Sequence, residues 1–121
     1  MRFNDFIWHD AVIKKIEIDR NNPGNNDTIV FNIRWPENNR DSFIALQEVY
    51  FAKMDLNFGI VADETISHAV ELEESDQDLN NIYSKWRGII DDKKLKVYKF
   101  SLNSTGSKIK IIAKGFREYK L

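Results

Sequence analysis

The sequence predicts an α+β fold: a mostly antiparallel twisted sheet of about six strands with one long helix, at about residues 75–90, packed on it. Three observations predict it. Short runs of alternating apolar and polar residues recur along the chain. Turn-forming clusters separate neighbouring runs at hairpin distance. One stretch alone carries helical spacing. With 121 residues, no internal repeat and no linker-like tract, residues 1–121 are expected to form a single domain.

The elements follow in order. Phe3, Phe6, Ile7 and Trp8 form an apolar N-terminal cluster that suits a helical turn or an edge strand capping the core. Residues 12–19 read as a strand with Val12, Ile16 and Ile18 on one face, Lys14 being the exception there, and Ile13 opposite among Lys15, Glu17 and Asp19. Pro23-Gly24 among asparagines is turn chemistry. Residues 28–35 alternate cleanly, with Ile29, Phe31, Ile33 and Trp35 on one side. Residues 43–58 are long for one strand, and a bulge or break is expected near Gln47-Glu48. The second half places Tyr50, Ala52, Met54, Leu56 and Phe58 together, and Gly59 ends it. Residues 66–73 also alternate.

The helix follows. Ser75 is its expected cap, Asp76 and Asp78 favour its first turn, and Leu79, Ile82, Tyr83, Trp86 and Ile90 make one apolar stripe, with Gly88 weakening the last turn. That stripe is the expected cover for the apolar face of the sheet, a sandwich or half-barrel being the alternative. Residues 95–103 and 108–116 form a second hairpin about Ser104-Thr105-Gly106-Ser107, with Tyr98, Phe100 and Leu102 facing Ile109, Ile111 and Ala113. Val30, Phe51 and Ile112 lie on the opposite faces and leave room for a dimer or a second layer.

Composition narrows the function. The chain is 42% hydrophobic with eight Phe, four Tyr and three Trp, which is the composition of a folded domain and not of a disordered one. It has no cysteine, so disulfides, thiolate metal sites and a Cys nucleophile are excluded. There is no apolar run of signal-peptide length at the start and none near the ~18 residues that span a bilayer. These features imply a cytoplasmic protein.

Charge is sorted into segments. Residues 54–84 hold eight acids (Asp55, Asp63, Glu64, Glu71, Glu73, Glu74, Asp76 and Asp78) and no Lys or Arg, whereas residues 85–121 set eleven bases against three acids. A near-neutral total conceals this asymmetry. An uncompensated acidic surface steers a basic partner and makes its binding salt-dependent. Asp63, Glu64, Glu71, Glu73, Glu74, Asp76 and Asp78 are therefore the expected partner-binding residues. Converting Glu71, Glu73 and Glu74 to Gln is expected to weaken binding without lowering stability.

Catalytic motifs are absent. There is no Gly-x-Ser-x-Gly elbow, Ser-x-x-Lys or phosphate loop, and the Asp19–Gly24 stretch lacks the ligands of a calcium loop. His9, Asp10 and His68, with Asp63 or Glu64, are the alternative: a metal-binding or metal-dependent hydrolytic centre without a standard spacing. Lys108, Lys110 and Lys114 interleaved with Tyr98, Phe100, Phe116 and Tyr119 invite nucleic-acid binding, which the acidic segment opposes. No cofactor is expected.

Trp8-His9-Asp10-Ala11 leading into the first strand, and the terminal hairpin about Leu102-Asn103-Ser104-Thr105-Gly106-Ser107-Lys108-Ile109, resemble small bacterial proteins that share an aromatic or aliphatic His-Asp-Ala/Ser motif. Some of these resemble immunity proteins of polymorphic toxin systems, which bind and neutralise a cognate toxin. The resemblance implies an α+β fold and no enzymatic activity, and assigns no binding residues. Together the features point to a non-catalytic protein-binding domain with an acidic contact surface, a basic protein partner, no membrane, nucleic acid disfavoured and room for a homo-oligomer.

Overall fold

The computed structural model describes residues 1–23, 27–73, 76–86 and 94–120. A short 3-10 turn, Phe3–Asp5, precedes strands β1 (Val12–Asp19), β2 (Thr28–Arg34), β3 (Asp41–Asp55) and β4 (Ile66–Leu72). Helix α1 (Gln77–Lys85) follows, then β5 (Lys96–Leu102) and β6 (Lys108–Lys120). The strands form one antiparallel sheet in the order β1-β2-β3-β6-β5-β4. This is the α+β architecture that the alternating runs predict. No helix among the described residues is long and apolar enough to cross a membrane.

The sheet curls until its two edges meet at one end. Val12 bridges Thr65, Ile13 donates its N–H to Glu64 O at 2.9 Å, and Ile66 N–H reaches Ala11 O at 2.8 Å. The curled interior holds the main core. Phe31, Ile33, Ile44, Leu46, Tyr98, Phe100, Ile109 and Ile111 line it. The N-terminal segment fills it: Phe3 packs edge-on to Tyr98 and Phe116, and Phe6 stacks on Trp35 with ring centres 5.1 Å apart. Trp8 Nε1 donates to Phe3 O at 2.8 Å, so the plug satisfies its own buried donor.

The helix therefore covers something else. α1 lies on the opposite face of the sheet, where Leu79, Ile82 and Tyr83 pack on Val97, Ile112, Leu72, Tyr50, Phe51 and Leu95. One cross-strand row, Phe51–Ile112–Val97–Leu72, runs beneath it over four strands. This second layer buries the outward apolar position Ile112 and partly covers Phe51. The main core needs no helix, because curling and the aromatic plug already exclude water from it.

Three register shifts correct the strand faces. The one in β4 falls between Ile66 and His68, so that Ile66 and Ala69 both reach the inner core while Leu72 turns to the outer one. In β1 the pairing to β2 skips Lys14, so Ile13 and Ile16 both reach the interior while Lys14 turns to Asp41 at 2.9 Å. The apparent exception on the strand face is the bulged residue. In β3, Glu48 adopts φ +51 and the register to β6 shifts between Val49 and Phe51. The expected bulge near Gln47-Glu48 is there, and it turns Tyr50 from the inner face to the outer core. β3 stops at Asp55, so Leu56 and Phe58 do not continue its inner face.

The helix cap also differs. Asp76 accepts from Asp78 N–H at 2.9 Å and Leu79 N–H at 3.3 Å, taking the role expected of Ser75. Ser75, Gly88 and Ile90, like Gly24 in the first turn, lie outside the described residues. Trp86 ends the stripe exposed, with Lys85 Nζ 5.8 Å from its ring centre.

Candidate protein-binding surface

The acidic segment folds against the basic one. β4 lies beside β5, and β5 beside β6, so acids of residues 63–78 meet bases of residues 96–110. Lys110 Nζ sits 2.8 Å from both Asp76 and Asp78. Lys96 lies 3.9 Å from Glu71 and 3.7 Å from Glu73. Glu71 also accepts from the Tyr98 hydroxyl at 2.6 Å. The Tyr98 hydroxyl is raised out of its ordinary range by burial and then by that carboxylate. Glu64 accepts from the Thr105 hydroxyl at 2.6 Å, and Asp63 pairs with Arg34 at 3.0 Å.

The expected site residues thus occupy three places. Asp63 and Glu64 precede β4, Glu71 and Glu73 lie at its far end, and Asp76 and Asp78 open α1. Glu74 lies outside the described residues. Asp63 and Glu73 project furthest, with side chains 66% and 74% exposed. Glu71 and Asp76 are mostly covered and hold structure.

The connection between β3 and β4 is the feature that alternation concealed. Its ends are clamped to the β5–β6 turn. Asn57 N–H donates to Ser107 Oγ at 2.8 Å and Asn57 Nδ2 to Thr105 O at 3.3 Å. Ser104 Oγ donates to Asp63 O, and Asn103 N–H to Thr65 O at 2.7 Å. Between the clamps the tip stands in solvent: Phe58 is 84% exposed, Ile60 56%, and Val61 fully. Gly59 at φ +95 makes the reversal between them. An apolar tip on an anchored loop is unusual on a solvated surface and is the candidate contact site. Asp55 precedes it and Asp63 follows it. The signal for it in the sequence is Gly59 between Phe58 and Ile60, read there as a strand end.

The histidines stand elsewhere. His9 Nδ1 lies 3.2 Å from Ser67 O and Nε2 3.7 Å from Asp10 Oδ2, with both side chains exposed. His68 is exposed on β4 beside Ser67. Among the described residues no three His, Asp or Glu side chains are placed to hold a metal ion. Of the three lysines weighed for nucleic acid, Lys110 holds Asp76 and Asp78, and Lys114 lies 3.3 Å from Glu48.

No protein-family model, curated protein or solved structure matches the chain.

Proposed function

We propose that this is a non-catalytic, cytoplasmic protein-binding domain of the immunity type its sequence resembles, docking on a basic protein partner through the β3–β4 loop. The observation that carries this reading is the clamped tip with Phe58, Ile60 and Val61 in solvent. A pre-ordered apolar anchor loses little entropy on binding and fills a partner's pocket, which is where interface energy concentrates. Asp55 and Asp63 flank the tip and supply the acidic rim that selects a basic surface, Asp63 sharing its charge with Arg34. Glu73 stands apart at the far end of β4 beside Lys96.

The test is capture on the immobilised full chain from its source cells at low salt. The expected result is one basic protein retained in equal amount and released by salt, whose toxicity or enzymatic activity falls on binding. Retention of an acidic or salt-insensitive partner contradicts the acidic rim. An undiminished activity in the complex contradicts the inhibitor role.

A further inference from the structure

We infer that the free edge of β1 pairs antiparallel with the same edge of a second copy, about a two-fold axis at Ile16. The two sheet edges are treated differently. The β4 edge is blunted by the N-terminal segment: Asn4 uses its side-chain amide as a substitute strand, donating to Glu71 O at 3.1 Å and accepting from Glu71 N–H at 2.7 Å. His9 approaches Ser67 O on the same edge. The β1 edge is joined to residues 64–66 only as far as Ile13. Beyond it, among the described residues, no backbone hydrogen bond reaches β1 from the side away from β2.

An unpaired edge is a template for another strand, and natural edges are usually guarded by charge. Here the charges are self-complementary. The free stretch reads Lys15-Ile16-Glu17-Ile18-Asp19, with Lys15, Glu17, Ile18 and Asp19 exposed. An axis at Ile16 sets Lys15 of each copy opposite Glu17 of the other, and Ile16 opposite its own copy. Opposite charges directly across a strand pair are favourable, and like charges are not. Shifting the axis to Glu17 opposes that residue to itself, and an axis at Ile18 opposes Glu17 to Asp19. Charge therefore selects the axis at Ile16, where the pairing centres on Lys15–Glu17 and stops short of Ile13, whose edge Glu64 occupies.

Among the described residues α1 packs over β3, β6, β5 and β4 and does not reach the outer face of β1 and β2. The outer rows Lys15–Asn32–Phe43–Tyr119 and Glu17–Val30–Ala45–Arg117 continue from the edge. The paired stretch is short, and its interface is smaller than the about 1,200 Å² of a standard complex. The dimer consequently forms at high concentration and parts on dilution.

Sedimentation of the full chain across a concentration series tests this. A reversible monomer–dimer equilibrium is expected. Lys15→Glu is expected to abolish it and Lys15→Glu with Glu17→Lys to restore it, since both side chains are exposed and the double change reinstates the pairs. A protein that stays monomeric at every concentration overturns the inference. So does a dimer indifferent to Lys15→Glu, which would place the contact elsewhere, the β3–β4 loop included.

Discussion

Lys110 reaches across from β6 to Asp76 and places its ammonium 2.8 Å from both carboxylate oxygens, while one of those oxygens caps α1. One carboxylate thus caps the start of the helix and fastens it to the sheet. Lys110 also stands between Lys53 and Lys99 in register, and Asp76 and Asp78 relieve what would be a row of three like charges.

Separating the two roles of Asp76 is the first prediction. Asn caps a helix as well as Asp does, so Asp76→Asn removes only the charge contact. Asp76→Ala removes the cap as well and is expected to cost about 1 kcal/mol more. Urea unfolding of both variants measures the difference.

The same pair predicts a pH profile. Burial raises the Asp76 carboxyl most strongly, but Lys110 and the N–H groups of Leu79 and Asp78 together outweigh it and hold the group below its ordinary value. Its contribution is complete above the ordinary carboxylate range and is lost as pH falls through its folded value. For Lys110 burial acts downward, and the bonds to Asp76 and Asp78 outweigh it and raise the ammonium. That contribution persists below the ordinary lysine range and is lost as pH rises past its folded value. The melting temperature of Asp76→Asn is expected to differ from wild type across neutral pH, with the gap closing below about pH 4.

Glu71 and Glu73 separate a structural acid from a surface one. Glu71→Ala leaves the Tyr98 hydroxyl without its acceptor and is expected to destabilise by about 1–3 kcal/mol. Glu73→Gln is expected to leave stability within about 0.5 kcal/mol of wild type. Thermal unfolding of the two variants decides it, and a joint Glu71, Glu73 and Glu74 change mixes the two effects.

Phe3→Ala removes the ring that touches Trp8, Tyr98, Phe100 and Phe116. A loss of about 3–5 kcal/mol is expected, the magnitude of a core aromatic. Denaturant unfolding measures it, and a loss below about 1 kcal/mol would show that the N-terminal plug is dispensable.

Much of the fold was legible. Alternation placed the six described strands, though β6 runs on to Lys120 past the expected end at 116, because antiparallel strands with one buried face keep a period of two. It failed at Lys14, Tyr50 and Ser67, where one extra residue in one strand reverses the faces beyond it. It failed again at Leu56 and Phe58, whose spacing continues the inner face although hydrogen bonds to Ser107 and Thr105 lead the chain out of the sheet. Such bonds span 48 and 50 residues of sequence and leave no local pattern. The charge sorting was visible, but its resolution was not: strand order sets Lys96 and Lys110 beside Glu71 and Asp76, and strand order is not written in any one segment.

The proposed binding depends most directly on the β3–β4 loop. The decisive measurement is calorimetric titration of the captured partner against wild type and Phe58→Ser/Val61→Ser. Both side chains are exposed, so unfolding of the variant should match wild type. Binding is expected to weaken by at least about 30-fold, the loss of a central anchor. Equal affinity would contradict the β3–β4 loop as the contact and with it the proposed mode of binding.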